Sequence, residues 1–186
     1  MAIERIGRRT WLASITAWVA ARRLASAGTQ AAAWRGAVLQ ADEGEHLISG
    51  RRRAPMRIKI DSRAATSATM SMLVSEVSPG ANIPVHLHRN EDELIFIHAG
   101  SGIVTLGEQR VASKTGAVLY APRNQWHGVE NTGNDTLIWC AIYSPPGFEQ
   151  YFREVGVPAA SQVQPPAPEM IAKTAAKYGM VFKEPL

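Results

Sequence analysis

The chain has 186 residues, enough for one domain or a small pair, and its 46% hydrophobic content is enough to build a core. The formal charge of +4 is concentrated at the start. Residues 1–27 hold five of the 20 Lys and Arg and one of the 16 Asp and Glu, which leaves 15 against 15 in the remainder. This balance excludes a basic nucleic-acid-binding surface, so no nucleic-acid partner is expected.

The first 27 residues have the features of an export signal. Arg8 and Arg9 precede Trp11 and Leu12, and an apolar run then leads to small residues at 25–27. The run, of about eleven residues, is too short to span a bilayer as a helix, and the small residues are typical of a cleavage site. The segment resembles a twin-arginine signal. The resemblance implies a periplasmic protein with no membrane segment after the signal is removed, the alternative being a cytoplasmic protein with an uncleaved helix.

Short segments of β character follow a predicted linker at residues 28–45. Alternating or β-rich runs bounded by turn residues occur at 56–60, 66–77, 93–97, 102–106, 110–112, 117–121, 126–130 and 136–143. Their close spacing predicts an all-β, double-sheet barrel over residues 46–160. In the run 66–77, the alternation places Ala68, Met70, Met72 and Val74 on one face, either in the core or lining a pocket.

Two short helices are predicted after the barrel strands. Pro145 and Pro146 end the sheet, and residues 148–155 carry an apolar stripe at helical spacing, which predicts a helix packed on the barrel. The segment 161–186 contains a proline-rich link, a second helix over 169–178 and an extended tail.

Four residues with metal-ligating side chains fall in the stretch 80–131. His86 and His88 are two residues apart, so in a strand both imidazoles point to the same face. After a turn, Glu93 begins a second run, and its side chain lies on the face of that run from which the carboxylate can point towards the two imidazoles. His127 belongs to a later strand. Three neutral imidazoles and one carboxylate suit a divalent first-row metal with coordination positions left open.

These residues match two spaced motifs of a known family. In the first motif, Gly80, His86, His88, Glu93 and Gly100 fill every fixed place, and in the second, Gly116, Pro122, His127 and Asn131 do so, with Asn124 in place of a glycine. Asparagine is a natural replacement there because it accepts the left-handed backbone conformation readily. The chain therefore resembles the cupin superfamily, and more loosely, over residues 46–186, small bacterial cupins related to quercetin dioxygenases.

The resemblance implies a single cupin barrel, a double-stranded β-helix or jelly roll, that binds a divalent transition metal through His86, His88, Glu93 and His127. Fe(II) is favoured, and Mn, Ni, Cu and Zn are alternatives. The implied activity is that of a dioxygenase, an oxidoreductase whose open metal positions bind a small enolic or phenolic substrate and O₂, with Glu93 as the catalytic base. A redox-neutral isomerase, lyase or decarboxylase and a non-catalytic binding barrel remain open. The resemblance also implies a homodimer.

Other candidate residues have a plainer interpretation. Glu91 is a rival carboxylate, but it lies in the predicted turn. His98 lies on the opposite face of its strand from Glu93, and His46 precedes the barrel, so neither is nominated as a ligand. Cys140 is the single cysteine of the chain, which excludes an intramolecular disulfide.

Aromatic residues in the barrel strands are candidates for the wall of a substrate pocket. Tyr120, Trp126 and Trp139 could line it, and packing in the core explains each of them equally well.

The export signal can be tested by its arginine pair. Replacement of both residues, Arg8→Lys with Arg9→Lys, is expected to trap the precursor in the cytoplasm, because the twin-arginine pattern requires both guanidinium groups. Fractionation followed by immunoblotting measures the precursor, and unchanged periplasmic recovery would contradict the signal.

Overall fold

The computed structural model describes residues 36–49, 53–61, 68–159, 164, 166–184 and 186. The predicted signal peptide and the first part of the predicted linker lie outside the described residues. Within them, strands predominate, as the sequence predicted.

The strands belong to two antiparallel sheets. The larger sheet contains β1 (Glu45–Ser49), β2 (Ala54–Ile60), β3 (Ser71–Val77), β5 (Asp92–Ala99), β8 (Val118–Ala121), β10 (Leu137–Ser144) and β11 (Val157–Pro158). The smaller sheet contains β4 (Asn82–His88), β6 (Ser101–Leu106), β7 (Gln109–Lys114), β9 (His127–Glu130) and β12 (Met180–Phe182). The strand orders are β11-β1-β2-β3-β10-β5-β8 and β12-β4-β9-β6-β7, so most neighbouring strands, such as β3 and β10 or β4 and β9, are distant in sequence, as in a jelly roll. The predicted all-β barrel is confirmed.

The core lies between the inner faces of the two sheets. Along β5 and β10 buried and half-buried residues alternate, as the period of a strand with one face in a core requires. The larger sheet contributes Met56, Leu73, Ile95, Ile97 and Trp139, each at most 3% exposed, and the smaller sheet contributes Val104 and Val129.

Two helices follow the barrel strands, α1 (Glu149–Val155) and α2 (Pro168–Lys177), close to the predicted bounds. Helix α1 buries Tyr151 and Val155, and α2 buries Ile171 and Ala175. Neither helix in the described part of the chain is both long and apolar enough to cross a membrane.

The C-terminal tail is part of the smaller sheet. Strand β12 pairs with β4, with Met180 opposite His88 and Phe182 opposite His86. The sequence predicted an extended segment here but not its partner. The tail therefore lies beside the strand that carries two of the candidate ligands.

The inward face of β3 is the opposite of the predicted one. Ser71, Leu73, Ser75 and Val77 are buried, whereas Met72 and Val74 are half-buried on the outer face, and Met70 precedes the strand and is 47% exposed. Met70 and Met72 therefore belong neither to the described core nor to a described pocket wall. Two apolar rows cross the outer face of this sheet. One contains Met72, Ile142, Leu94 and Tyr120, and the other contains Val74, Cys140, Phe96 and Val118.

The homodimer implied by the family resemblance stays a prediction.

The motif residues other than the ligands shape the turns. Asn124 has a φ of 65°, so the asparagine adopts the left-handed conformation that was expected where the motif has glycine. Its backbone N–H donates to the carbonyl of His88 at 2.7 Å, which ties the turn to β4. Gly100 has a φ of 85°, and a Cβ there would lie 2.8 Å from the Cα of Leu137. The motif therefore encodes backbone geometry as well as ligands.

Asn131 shows the same structural use of a motif residue. Its side-chain amide donates to the carbonyls of Val77 at 2.7 Å and Asp135 at 2.9 Å, and its Oδ1 accepts from the N–H of Gly133 at 2.9 Å. The side chain is fully buried. It therefore joins the end of β3 to the loop between β9 and β10.

We expect Asn131→Ala to lower the free energy of unfolding by about 2–3 kcal/mol, because it leaves buried backbone groups without hydrogen-bond partners. Chemical denaturation measures the change. The control is Asn134→Ala in the same loop, where the side chain is exposed and the expected change is within about 0.5 kcal/mol. Equal effects of the two substitutions would contradict the role assigned to Asn131.

Candidate metal centre

The structure brings together the four residues that the sequence nominated as metal ligands. One ligand atom from each of His86, His88, Glu93 and His127 can be chosen so that all lie within 4.8 Å of one another, and all four residues are buried. The imidazole of His127 reaches the others although it is separated from Glu93 by 34 positions, with its Nε2 2.7 Å from Glu93 Oε2.

The two sheets supply different ligands. Strand β4 carries His86 and His88, and β9 pairs with β4 so that His127 lies directly opposite His86. Glu93 comes from β5 in the larger sheet, on the inward face that the sequence predicted for it. The group thus lies between the sheets, with three imidazoles on one side and the carboxylate on the other.

The Nε2 atoms converge. His86 Nε2 lies 3.2 Å from His88 Nε2, and Glu93 Oε2 lies 3.1 Å from His88 Nε2 and 3.9 Å from His86 Nε2. In two of the rings the other nitrogen, Nδ1, is hydrogen-bonded to a backbone carbonyl. His86 Nδ1 lies 2.8 Å from the carbonyl oxygen of Pro84, and His127 Nδ1 lies 2.9 Å from that of Gln125.

The hydrogen-bond pattern fits a cation at the centre. A backbone carbonyl can only accept, so Nδ1 of His86 and of His127 must be the protonated nitrogen, which leaves the lone pair of a neutral ring on Nε2. These lone pairs face one another and the oxygens of Glu93. Such an arrangement requires a proton or a metal ion between the acceptors, and three imidazoles with one carboxylate are a donor set for divalent transition metals.

The electrostatics favour metal-binding forms of His86 and Glu93, whereas His127 favours a proton directed at Glu93 that a metal would displace. Burial lowers the pKa of His86 well below the usual value, and charge on His127 or His88 would lower it further. Burial alone would raise the pKa of Glu93, but hydrogen bonds from His127 and His88 hold it well below the usual range. Burial disfavours charge on His127 too, but its hydrogen bond to Glu93 outweighs this and raises the pKa of His127. At neutral pH His86 is therefore uncharged and Glu93 is ionised.

Glu91, the rival carboxylate, lies beside the group and not in it. Its Oε2 is 3.8 Å from His88 Nδ1, and among the described residues neither atom has a hydrogen-bond partner. Burial, and then the charge of Glu149, raises the pKa of Glu91 to about 7. Glu91 thus faces the outer nitrogen of the His88 ring, where a carboxylate can orient an imidazole.

Two aromatic residues pack against the ring of His88. The ring of Phe148 meets it edge-on with the centroids 4.2 Å apart, and the ring of Tyr143 does so at 5.4 Å. Burial and the nearby, hydrogen-bonded Glu93 raise the pKa of Tyr143 well above its ordinary value, so its hydroxyl stays protonated and can donate to that carboxylate.

A cavity of about 600 Å³ opens beside the group, and His86 and Glu93 form part of its wall. Aromatic side chains form a substantial part of the remaining wall. The aromatic lining residues are Trp139, Tyr143, Phe148, Tyr151, Phe152 and Phe182.

The sequence predicted some of the residues that line this cavity. Trp139 lines the cavity as one of its two interpretations allowed, but Tyr120 is 55% exposed on the outer sheet face, and the half-buried Trp126 is not among the lining residues. The helical stripe over 148–155 was recognised as a packing surface, not as a pocket wall. Tyr143 was missed, although it shares the strand and the parity of Trp139.

The remaining candidates lie away from the group. His98 is exposed on the outer side of β5, and His46 is exposed on β1, as expected for residues not nominated as ligands. Cys140 is half-buried on the outer face of β10, where burial raises the pKa of its thiol.

Comparison with known proteins agrees with the fold. A family model described as "Cupin domain" matches residues 73–143, which include all four residues of the group. An uncharacterized protein of Methanocaldococcus jannaschii is 33% identical over 76 residues, which are 40% of this chain and 61% of that protein. An oxalate-binding protein of Thermotoga maritima is 31% identical over 67 residues, 36% of this chain and 55% of that protein. The chain thus spans less than two thirds of these relatives.

A solved structure has the same fold. The crystal structure of a predicted oxalate decarboxylase from Thermotoga maritima superposes with a TM-score of 0.53 at 24% identity, and the match covers 59% of this chain and 99% of that one.

The ligand set can be tested one residue at a time. We expect His88→Ala and His127→Ala each to lose most of the bound metal, because each removes one of four converging donors. His98→Ala should retain it, since that imidazole is exposed on the far side of β5. Elemental analysis of the purified proteins measures the metal per chain, and equal loss in all three variants would contradict the assignment.

Proposed function

We propose, on the premise that this chain belongs to the cupin superfamily through its domain at residues 73–143, that it is a metal-dependent enzyme acting on a small organic substrate. The observation that carries the proposal is the convergence of four buried donor groups beside a cavity. His86, His88, Glu93 and His127 would hold the metal, with Fe(II) favoured and Mn, Ni, Cu or Zn as alternatives.

The finer proposal is a dioxygenase that acts on an enolic or phenolic substrate. A bound metal of this kind supplies Lewis acidity that lowers the pKa of a substrate hydroxyl and, where it is redox-active, a route for electrons to O₂. The aromatic wall of the cavity supports a substrate of this class, because a phenolic ring packs well against aromatic side chains.

The protein groups would orient the substrate and move its proton. Of the four ligand residues, His86 and Glu93 form part of the cavity wall, so the substrate would approach the centre from their side. Glu93 would accept a proton from a hydroxyl group in the cavity, and the Tyr143 hydroxyl, which donates to that carboxylate, would hold it in position. The buried walls of Phe148 and Tyr151 would exclude water from the centre.

A redox-neutral reaction, such as a decarboxylation or isomerisation, is the second candidate. It is favoured by the partial similarity to an oxalate-binding protein, and the same four residues could hold a metal that acts as a Lewis acid alone. A barrel that binds its ligand without turnover is the third.

The three candidates differ in their need for oxygen. We expect O₂ uptake when catechol, flavonol or β-diketone substrates are added to the iron-, manganese-, nickel- or copper-loaded protein, measured with an oxygen electrode. A matched control is the His88→Ala variant, which should take up none.

The contrary outcomes are equally specific. No uptake with any metal and any substrate of the panel would remove the dioxygenase, and turnover under strict anaerobiosis would favour the redox-neutral enzyme. A rise in melting temperature with a ligand that is not converted would favour the binding barrel.

A further inference from the structure

Glu91 is a buried acid in a place where acids are normally exposed. It lies in the turn between β4 and β5, and its neighbours Arg89 and Asn90 are exposed, but Glu91 itself is only 6% exposed. Its Oε2 has no hydrogen-bond partner among the residues that the structure describes. Burial of an unpaired carboxylate oxygen is unfavourable, so its occurrence here calls for an explanation.

The ring of His88 differs from the other two imidazoles of the candidate metal centre at its Nδ1 atom. In His86 and His127, Nδ1 lies within 2.9 Å of the carbonyl of the residue two positions earlier in the chain. Nδ1 of His88 has no hydrogen-bond partner in the described part of the chain, and the unpaired Oε2 of Glu91 lies 3.8 Å from it. The two unpaired atoms therefore face each other.

The opposite nitrogen of the His88 ring points to the centre of the group. Its Nε2 lies 3.2 Å from that of His86 and 3.1 Å from Glu93 Oε2. A neutral imidazole that binds a metal ion through Nε2 carries its proton on Nδ1, and a buried N–H group needs an acceptor. Glu91 is the residue that can supply this acceptor.

The turn that carries Glu91 is fixed on both sides. The N–H of Arg89 donates to the carbonyl of Gly179 at 2.9 Å, and Asp92 Oδ1 accepts from the backbone N–H and the Nε of Arg123 at 3.0 and 3.1 Å. The backbone thus holds Glu91 beside the ring. A shift of about 1 Å in its carboxylate would bring the two atoms to the distance of about 2.8 Å that is typical of a charge-assisted hydrogen bond.

We propose that Glu91 is a positioning residue of the metal centre, whose carboxylate accepts the hydrogen bond of His88 Nδ1–H when Nε2 binds a metal ion. The ring is then held in the tautomer and the orientation that ligation requires, and the carboxylate increases the basicity of the ligand nitrogen. This inference rests on the metal centre of the proposed function, but not on its reaction.

Glu149 offers a matched control for the loss of a buried charge. It is 1% exposed, its charge acts on Glu91, and its Oε2 accepts from the N–H of Gly147 at 2.7 Å. Among the described residues, however, no ion pair joins Glu149 to an imidazole of the group. The same substitution at the two acids therefore separates the hydrogen bond to His88 from the effect of charge alone.

The affinity of the full chain for zinc, measured at neutral pH by competition with a chromophoric chelator, tests the proposal. We expect Glu91→Met, which removes the acceptor, to weaken zinc binding by about 10–100-fold. Glu91→Gln keeps a neutral acceptor and should recover part of this loss. Its affinity should still be lower than that of Glu149→Gln by about threefold or more, because an amide oxygen is a weaker acceptor than a carboxylate.

The ring proton of His88 gives a readout that a merely structural role would not move. In zinc-loaded protein with isotope-labelled histidine, nuclear magnetic resonance should show a His88 Nδ1–H proton at low field. Its proximity to the ring of Phe148, whose centroid is 4.2 Å from that of His88, identifies it. We expect this signal to move to higher field in Glu91→Gln and to keep its position in Glu149→Gln.

Equal zinc affinities of Glu91→Gln and Glu149→Gln, or a His88 ring proton with the same chemical shift in both, would overturn the proposal. If Glu91→Met does not fold, as judged by its melting curve, Glu91→Gln decides the question because it has nearly the shape of the original side chain. Absence of zinc binding in the unsubstituted protein would overturn both this inference and the metal centre. The expected zinc and proton results without turnover of any substrate would leave the inference standing while the proposed enzyme fails.

Discussion

A buried carboxylate that faces three imidazoles from the opposite sheet is the interaction on which the rest of this structure depends. An ionised Glu93 that is 1% exposed would be strongly destabilising without partners, and His127 and His88 supply them at 2.7 and 3.1 Å. The partners are in reach because the register of β4 and β9 sets His86 opposite His127. The pairing of the strands and the geometry of the donor group are therefore one constraint.

The aromatic residues around this group serve the core and the cavity at once. Phe148 meets the His88 ring edge-on, and its other side stacks on Tyr151 with the ring centroids 5.2 Å apart. Both residues also line the cavity. Phe148, at the N-cap of α1, thus contributes to the core, contacts a candidate ligand and forms part of the wall that a substrate would touch, so a substitution there changes stability and binding together.

Much of this arrangement could be predicted because it depends on local spacing. The two-residue separation of His86 and His88 fixes their common face, the parity of Glu93 fixes its direction, and the positive φ of Asn124 follows from its place in a turn. These features need only the periodicity of a strand and the conformational preferences of a residue type.

The errors and omissions arose where the decision depends on distant parts of the chain. The alternation in β3 was recognised, but one face mixes serines with Leu73 and Val77 and the other carries Met72 and Val74, so composition does not show which face meets the core. Ser71 and Ser75 are buried because β2 and β10 pack around them, while Met72 faces outward. The partner of β12 is equally unpredictable, since three residues pair with a strand over 90 positions away.

The position of β12 has a practical consequence for the preparation of the protein. Phe182 and Leu186 both belong to the wall of the cavity, so whatever is joined after Leu186 begins beside the space where a substrate would enter. An affinity tag or a fluorescent fusion attached at that end could compete with small molecules for the opening or hinder their exchange. Protein intended for kinetic work is better freed of residues added at this end, by proteolysis before use.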